Sequence, residues 1–375
     1  MKFTCEKNAL VSAVSVASRT VAQKSTIPAL EGIYIRAGVK LTLSGYNLET
    51  GITISVDAEI QQTGACIMPS RLFFDIIRKL PDDTVSISVD EKFKVSIRGG
   101  ISSFTITAMS SEDYPELPEV ESDKGISLPQ NELKAMIGGT SFAVSENQAR
   151  PIHTGCLFEV EDTSITVVAV DGYRLALRRE AVEGYGDDCS FIVPGTALSD
   201  LERLCGDSDE RVVLSVGSKH ISFTVGNTVI LSRRLEGDFL NYKKAIPESF
   251  RVTVKTTRTD LLEVVERVSL IIDSKNNAPL RLTFRKDAID FVCTTPLGKA
   301  ADSCPCEGDG GDLEIGFNDH YLSDALKAAP AEEINVCLNT GSSPCILVPA
   351  DGSDNFVYMV LPLSLIHISE PTRRS

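Results

Sequence analysis

Three acid–base pairs recur along this chain at nearly equal intervals, each an aspartate followed three positions later by a basic residue. The pairs are Asp75 with Arg78, Asp200 with Arg203, and Asp324 with Lys327. The aspartates lie 125 and 124 residues apart, and an apolar residue (Phe73, Leu198 or Leu322) stands two positions before each. A cation repeated in this way could contact nucleic-acid phosphates, since such binding rests on Lys and Arg. The recurrence predicts one domain design built three times.

Residues that could carry catalysis or hold a metal do not occur in recognisable patterns. None of the four histidines has a second candidate ligand at metal-binding spacing. Cys304-Pro-Cys306 leaves one residue between the thiols, too few for a zinc pair. Nucleophile-elbow, Walker and dinucleotide-binding glycine motifs are missing, and the glycine-rich stretch 308–311 lies in an acidic loop. We therefore expect no metal, no cofactor and no catalytic residue, which favours a binding role.

The cysteines and the N-terminus indicate the compartment. Ten cysteines are scattered without the spacing of a disulfide framework, and six fall in apolar, strand-like stretches that predict reduced core residues. These six are Cys5, Cys66, Cys156, Cys293, Cys337 and Cys345. Residues 1–7 lack the apolar run of a signal peptide, and no apolar run reaches the roughly 18 residues of a membrane span. We expect a cytoplasmic protein.

Each repeat is predicted to contain two helices. The first carries an apolar stripe at offsets 0, 3, 4, 7 and 11, the pattern of an amphipathic helix. The stripes are Leu10, Ala13, Val14, Ala17 and Val21; Leu133, Met136, Ile137, Thr140 and Val144; and Leu261, Val264, Val265, Val268 and Ile272. The second helix carries the aspartate and the base, and should begin after a turn or capping residue near 70, 195 and 319. Alternating segments such as 85–89 and 212–216 predict strands.

The predicted fold class is α+β, with three repeated domains that each pack two helices on largely antiparallel sheets. The expected domains are residues 1–121, 125–246 and 250–363, with linkers at 114–125 and 245–249. Residues 364–375 fit no repeat and are expected to be an extraneous tail. A sheet of alternating strands has two edges to cover. Three repeats joined edge to edge would leave two free ends.

The net charge of −15, from 37 basic and 52 acidic residues, argues against nucleic-acid binding if only the sum is considered. The distribution argues differently. The acids cluster in turns and loops, such as 116–123 and 207–210, whereas the repeated base lies on a predicted helix. Six helices on one surface would make that surface positive on an acidic body.

Four short segments resemble the bacterial sliding clamp family, the β subunit of DNA polymerase III. They are 25–30, 150–155, 170–176 and 359–362, and the resemblance covers residues 1 to about 363. It implies clamp-type domains that form a ring on dimerisation, so that both free sheet edges are used. It also implies a non-catalytic processivity factor, which encircles duplex DNA and tethers the replicative polymerase.

The resemblance further implies sequence-independent contact between basic side chains and DNA phosphates. The DNA-facing candidates are Lys7, Lys24, Arg78, Lys134, Arg150, Arg203, Arg258 and Lys327. In this family the first domain of one subunit meets the third domain of the other. The matching interface residues are Phe104, Ile106, Ile271 and Ile272.

A partner groove at the second and third domains is also implied, which accepts short apolar-aromatic peptides from polymerases and the clamp loader. The matching residues are His153, Gly172, Tyr173, Arg174, Leu175, Leu240, Lys244, Asn318, Tyr321, Val360, Leu361, Pro362 and Leu363. Three positions depart from the family's usual residues: Leu240 replaces a proline, Lys244 an arginine and His153 an aliphatic residue. These departures bear on partner affinity and not on the fold.

Two other interpretations stay open. One is a monomeric protein-interaction scaffold, and the other is an enzyme whose site lies at a domain junction with Asp171, Arg174 and Tyr321 as its polar residues. The tail 364–375 resembles a cloning or assembly scar. Our hypothesis is that it is disordered or lies over the partner groove.

Overall fold

The computed structural model describes residues 1–120, 125–182, 188–273 and 278–363. Within these ranges the chain forms two α-helices in each predicted repeat. They are α1 (Lys7–Ala17), α2 (Ser70–Lys79), α3 (Gln130–Gly138), α4 (Gly195–Leu204), α5 (Arg258–Ser269) and α6 (Asp319–Ala328). The tail 364–375, and with it our hypothesis about its position, lies outside the described residues, as do residues 121–124 of the first linker.

The first helix of each repeat buries the predicted stripe but is shorter than predicted. The first four positions of every stripe are buried. The fifth position, Val21, Val144 or Ile272, lies beyond the helix end and is only half-buried. In the first two repeats a tighter 3₁₀ turn follows the helix, at Ser18–Thr20 and Ser141–Ala143. Because such a turn changes the rise and the angle per residue, the helical spacing no longer applies beyond it.

The second helices begin and end as the capping residues predict. Asn318 caps α6, since its side-chain oxygen accepts a hydrogen bond from Tyr321 N at 3.3 Å. Both α2 and α6 end two residues before a proline, Pro81 and Pro330 respectively. Proline cannot continue a helix because it lacks the N–H donor. These helices place the repeated bases in their last turns.

In the part of the chain that the structure describes, the strands form four sheets, and all of their strand pairs are antiparallel. The first repeat has β1 (Lys2–Glu6), β2 (Gly32–Ala37), β3 (Leu41–Tyr46), β4 (Thr50–Val56), β5 (Glu59–Gln62), β6 (Gly64–Pro69), β7 (Thr84–Val89), β8 (Lys94–Gly99) and β9 (Ser102–Thr107). The second has β10 (Ile126–Pro129), β11 (Gly155–Glu161), β12 (Ser164–Val170), β13 (Arg174–Ala181), β14 (Cys189–Pro194), β15 (Arg211–Val216), β16 (His220–Val225) and β17 (Thr228–Arg233). The third has β18 (Val252–Thr257), β19 (Leu280–Phe284), β20 (Ala288–Thr295), β21 (Gly298–Pro305), β22 (Leu313–Phe317), β23 (Glu333–Leu338), β24 (Cys345–Pro349) and β25 (Phe356–Val360).

Sheets of successive repeats are joined edge to edge, as predicted. The sheet orders are β5-β1-β7-β8-β9, β10-β15-β16-β17-β4-β3-β2-β6, β14-β11-β12-β13-β25-β24-β23-β18 and β21-β20-β19-β22. The described residues fall into two compact units: Met1–Leu133 with Ser199–Arg234, and Lys134–Leu198 with the described residues from Leu235 onward. The first unit contains the β17–β4 junction and the second the β25–β13 junction. The predicted α+β fold with antiparallel sheets is confirmed, while the domain boundaries stay a prediction.

The six cysteines predicted to be core residues are free and buried. Burial raises the pKa of the Cys5, Cys66 and Cys156 thiols to about 12. Such thiols stay protonated at neutral pH and are poor nucleophiles, because the thiolate is the reactive form. These cysteines therefore act as small apolar core residues.

Gly45 of β3 lets α1 approach the sheet, which gives a prediction about stability. A Cβ at Gly45 would lie 2.0 Å from Ala17 O and 2.9 Å from Thr20 Oγ1. Gly45→Ala should therefore lower the free energy of unfolding by about 2 kcal/mol or more, as overpacking does, measured by urea denaturation. The control is Gly38→Ala, where the nearest atom is 3.8 Å away and the expected change is within about 0.5 kcal/mol. Equal effects of both substitutions would contradict this account.

Candidate functional site

A tight turn between β12 and β13 presents residues predicted for the partner groove. Asp171 Oδ1 accepts hydrogen bonds from Tyr173 N at 2.9 Å and from Arg174 N at 3.0 Å. Gly172 has a φ of +96°, which L side chains rarely adopt, although a Cβ there would have space. Backbone conformation, and not crowding, therefore favours glycine. The turn fixes the directions in which Tyr173 and Arg174 leave the sheet.

Arg174 lies at the centre of a polar and aromatic cluster. Its Nε donates to Asp171 Oδ2 at 2.8 Å, and one terminal nitrogen donates to Asp324 Oδ2 at 2.5 Å. The guanidinium carbon lies 4.6 Å from the ring centroid of Tyr321 and 5.5 Å from that of Phe142. A planar guanidinium suits both kinds of contact, since it donates in several directions and stacks on rings. With 12% of its side chain exposed, Arg174 holds the turn to α6.

Two tyrosines form an aromatic wall beside this cluster. The rings of Tyr173 and Tyr321 stack with centroids 5.7 Å apart and planes 22° from parallel. Tyr173 is 57% exposed, so its outer face is open to an apolar partner. Burial, and then the Asp171 carboxylate, raise the pKa of Tyr321, which keeps its hydroxyl protonated. Asn318 contributes by capping the helix that carries Tyr321.

The predicted groove residues of β13 and β25 divide between two faces of the sheet. Arg174 pairs with Val360, and Leu175 pairs with Met359. Because side chains alternate along a strand, Leu175, Met359 and Leu361 share one face, where they belong to one apolar cluster. We call this cluster, which also contains Phe239 and Tyr242, the groove floor. Val360 is buried on the opposite face, and Met359, which we did not select from the sequence, lies on the floor; strand alternation could have identified it.

The chain leaves β25 along the edge of the groove. Leu361 N donates to Tyr173 O at 2.8 Å, which extends the ladder beyond the strands. Pro362 and Leu363 follow and are half-buried, and Leu363 N donates to Gly316 O at 2.8 Å. These backbone bonds hold the last described residues at the groove.

The three positions that depart from the usual family residues lie on the other side of the floor. The His153 ring meets the Phe239 ring edge-on, with centroids 5.7 Å apart. Burial, and then the nearby Arg150 charge, lower the pKa of His153. Leu240 is 45% exposed, and Lys244 is exposed in the turn that follows. His153 therefore presents a neutral ring at neutral pH, a shape that can still pack against an apolar side chain.

The repeated bases are solvent-exposed cations at helix ends. Arg78, Arg203 and Lys327 are all exposed. Arg78 lies 3.5 Å from Asp75 on its own helix, and Lys327 lies 3.0 Å from Glu266. Pairs at such exposed sites contribute little to stability. The cations can therefore change partners at low cost.

The other DNA-facing candidates differ in how firmly they are held. Arg258 pairs with Glu332 at 3.0 Å, and Lys7 Nζ donates to Leu80 O at 3.2 Å. The remaining candidates are Lys24 and Arg150, which are exposed, and Lys134, which is half-buried. Arg258 and Lys7 therefore contribute to local structure as well as to charge.

The predicted interface residues lie on the end strand β9 and after helix α5. Phe104 on β9 is 41% exposed, and Ile106 packs partly against the core of its repeat. Ile271 and Ile272 are half-buried after α5. Their neighbour Leu270 is 83% exposed, and we did not select it from the sequence. Three consecutive apolar residues, 270–272, therefore lie at or near the surface after α5.

The described residues contain no group of three or more His, Cys, Asp and Glu side chains placed to hold a metal ion. Among the helices of the described ranges, none has the length and apolar character to cross a membrane. Arg174 is ion-paired with both Asp171 and Asp324. These ion pairs hold the turn before β13 to helix α6.

Comparison with known proteins places this chain in a family. The models of the N-terminal, central and C-terminal domains of the DNA polymerase III beta subunit match residues 1–118, 127–241 and 243–364. The beta sliding clamp of Staphylococcus epidermidis is 32% identical over 374 residues, covering 97% of this chain and 99% of that protein. The beta sliding clamp of Staphylococcus aureus has the same identity and coverage.

Solved structures agree in fold over the same length. The DNA polymerase sliding clamp from Bacillus subtilis matches with a TM-score of 0.93 at 28% identity, covering 97% of this chain and 99% of that one. The DNA polymerase III subunit beta from Pseudomonas aeruginosa matches with a TM-score of 0.91 at 29% identity, covering 97% and 100%. Three consecutive domains of this fold define the class of clamp proteins of DNA replication. The chain belongs to the DNA polymerase III beta subunit family. It is a DNA sliding clamp that serves the polymerase and is not itself an enzyme, so neither alternative interpretation is favoured.

The Arg174 cluster leads to a second stability prediction. Arg174→Ala should lower the free energy of unfolding by about 1.5–3 kcal/mol, because bonds to two carboxylates and two ring contacts are lost together. Arg179→Ala is the matched control: Arg179 pairs with Asp354, and its side chain is 35% exposed, so the expected loss is about 1 kcal/mol or less. Urea unfolding followed by circular dichroism measures both. A loss for Arg174→Ala no larger than that of the control would show that the cluster does not stabilise the fold.

Proposed function

We propose that two copies of this chain join head to tail into a ring around duplex DNA. The observation that carries the proposal is the repeated junction inside the chain. The last strand of the second repeat (β17) pairs with β4, and the last strand of the third (β25) pairs with β13. The corresponding strands that remain, β9 of the first repeat and β21 of the third, lie at sheet ends. A second copy supplies the missing partner for each.

The two junctions inside the chain share one register. At the first, Ile230 of β17 pairs with Ile52 of β4. At the second, Tyr358 of β25 pairs with Ala176 of β13. Leu235 N donates to Ile192 O, and Leu363 N donates to Gly316 O, each to the strand before the second helix; Ile230 and Tyr358 both lie five positions before these donors. Counted from the β3–β4 and β12–β13 hairpins, Ile52 and Ala176 also occupy the same position in their repeats. Because both junctions within the chain use this register, we expect the junction between two chains to use it as well.

The same register predicts the pairing between two copies. Counting from the equivalent hairpins places Phe104 of β9 opposite Ala300 of β21, and Ile106 opposite Gly298. Both predicted first-repeat interface residues therefore enter the ladder. The small residues Ala300 and Gly298 leave room above the partner strand for the larger side chains of β9.

Helix ends support the same pairing. Arg19, Phe142 and Leu270 each lie 12 positions after the first residue of their helix. Arg19 lies 3.9 Å from Asp200, and Phe142 meets the Tyr358 ring at 5.3 Å, so both reach the following repeat. We propose that Leu270 reaches the first repeat of the second copy, which adds it to the predicted interface.

A disulfide tests the dimer and its register. The register places residue 103 opposite residue 301, so Ser103→Cys with Ala301→Cys should cross-link two copies on oxidation, since paired strands bring Cα atoms within disulfide range. Non-reducing gel electrophoresis should show twice the 40.6 kDa chain mass. In the control, Ser103→Cys with Ala300→Cys, the second thiol points to the other face and should cross-link far less. Equal cross-linking of both, or a monomer in sedimentation, would overturn the proposal.

We also propose that the exposed bases at the helix ends face the DNA and contact phosphates without reading bases. The support is their recurrence at one place in every repeat, their exposure, and their loosely held carboxylate partners. The other candidates, Lys7, Lys24, Lys134, Arg150 and Arg258, would add to the same positive surface. The overall charge of −15 then works against DNA contact elsewhere.

Charge reversal tests the DNA-facing role. Arg78→Glu, Arg203→Glu and Lys327→Glu together should shorten residence on circular DNA and reduce the salt dependence of binding, since each phosphate contact adds about 0.9 to the log–log slope. The control reverses three exposed lysines of strand turns, one per repeat: Lys40, Lys219 and Lys286. Retention on a circular plasmid, measured by gel filtration, should fall only for the first set. The dimer should stay intact in both, and equal retention would remove the three bases from the DNA-facing set.

We propose that the groove holds short apolar-aromatic peptides of polymerase catalytic subunits and of the clamp loader. The open face of Tyr173, the exposed Leu240 and the apolar groove floor support this, because such anchors seat in apolar pockets with a polar rim. The buried, reduced thiols fit a reducing compartment. We accordingly place the protein in the cytoplasm.

A further inference from the structure

The turn that presents the partner groove has a counterpart in the first repeat. Asn47 Oδ1 accepts hydrogen bonds from Glu49 N at 3.0 Å and from Thr50 N at 2.8 Å, as Asp171 does in the second repeat. Leu48, at the position of Gly172, has a φ of +74°. A leucine rarely adopts this conformation, so the surrounding structure must hold it there.

The backbone beside the two turns is also the same. Leu361 N donates to Tyr173 O at 2.8 Å, and Arg233 N donates to Glu49 O at 2.8 Å. Both bonds continue a ladder of one register, at β25–β13 and at β17–β4. The first junction therefore has the same backbone arrangement as the second, where we propose the peptide groove.

The two junctions differ in the side chains that lie above the strand. Leu175, on the groove floor, corresponds in the first repeat to Gly51. A Cβ on Gly51 would lie 2.8 Å from Leu117 Cδ2 and 3.1 Å from Tyr46 Cδ2. The linker residue Leu117 thus lies where a side chain of the strand would otherwise be. An apolar side chain from another segment has entered the position above β4.

A second linker residue enters the same site. Tyr114 is 8% exposed, and its ring stacks on Tyr34 with centroids 5.1 Å apart and planes 29° from parallel. Its hydroxyl donates to Ser44 O at 3.4 Å. Tyr114, Tyr46 and Ile67 belong to one buried apolar cluster, against which Leu117 packs. An aromatic and an aliphatic anchor three residues apart, separated by Pro115, are the features expected of a bound peptide.

We propose that the first junction is a second groove for apolar-aromatic peptides, and that the chain's own linker, residues 114–117, occupies it. The inference rests on the proposed peptide groove at the second junction. A tethered segment acts at an effective concentration of about millimolar, and the prolines at 115 and 118 limit its conformational freedom. A free peptide present at micromolar concentration does not displace it. Each chain therefore offers one open groove, although two are built.

A double variant that adds a leucine to β4 and removes one from the linker tests whether the linker occupies a second groove. Gly51→Leu with Leu117→Ala gives β4 the side chain that β13 has at Leu175 and removes the linker anchor. Isothermal titration with a synthetic hexapeptide that has leucine and phenylalanine anchors should give one site per chain for the natural sequence and two for the double variant. The control is Val120→Ala, whose side chain lies near Gly217 and away from the site; it should keep one.

Adding Tyr321→Ala separates the two grooves. In the natural sequence this change should weaken peptide binding at least 10-fold, whereas in the double variant one strong site should remain. If the double variant does not fold, Leu117→Ala alone should give the second site, because it removes only the anchor above Gly51. A natural sequence that binds no peptide would overturn the proposed groove itself. One site in the natural sequence and still one in folded Leu117→Ala and in the folded double variant would overturn only this inference.

Discussion

The fold depends on the pairing of strand edges between successive repeats. Each repeat brings sheets whose end strands would expose a row of unpaired N–H and C=O groups. Inside the chain these groups are satisfied by the β17–β4 and β25–β13 ladders. Since a slip of one residue would turn every core-facing side chain outward, each ladder also fixes how the cores of adjoining repeats meet. The helices, the groove turn and the cations take their positions from these ladders.

The basic residues differ in how strongly their surroundings hold them. The repeated bases are exposed by more than half at two of three positions, with 56% for Arg78 and 55% for Lys327. Their carboxylate partners lie 3.0–3.5 Å away and hold them weakly, because water screens exposed pairs. Arg174, at 12% exposure, is bound to two carboxylates and two rings. The protein thus combines a largely buried cation, fixed by two ion pairs, with exposed and weakly paired surface cations.

Periodic features of the sequence predicted most of the fold. The apolar stripes gave the buried face of each first helix, Asn318 gave a helix start, and the prolines gave two helix ends, since all of these depend on neighbours within one or two turns. The predicted stripes continued to Val21 and Val144, past the helix ends at Ala17 and Gly138, because a 3₁₀ turn has no clear apolar signature. Edge-to-edge joining was predicted from the need to cover edges.

Features that depend on distant residues were harder to predict. The Arg174–Asp324 bond joins residues 150 positions apart, and no local pattern indicates it. The resemblance supplied Arg174 and Tyr321 as groove residues but not the carboxylate of Asp324 that Arg174 binds. Val360 was chosen from the matching segment, whereas the strand pairing places Met359 on the floor. Leu270 was missed because its exposure follows from where α5 ends, which the stripe did not determine.

The composition of the two remaining edge strands has a consequence for ionic strength. β9 carries no charged side chain, and β21 carries only Lys299 and Asp302, of which Asp302 already bonds Arg267 at 2.8 Å. Backbone ladders and apolar contacts are insensitive to screening, whereas phosphate contacts weaken steeply. In the proposed dimer, concentrated salt would accordingly weaken the phosphate contacts without separating the paired β9 and β21 strands. Such a ring would stay threaded on a covalently closed circle, whereas on a linear fragment it would leave from the ends.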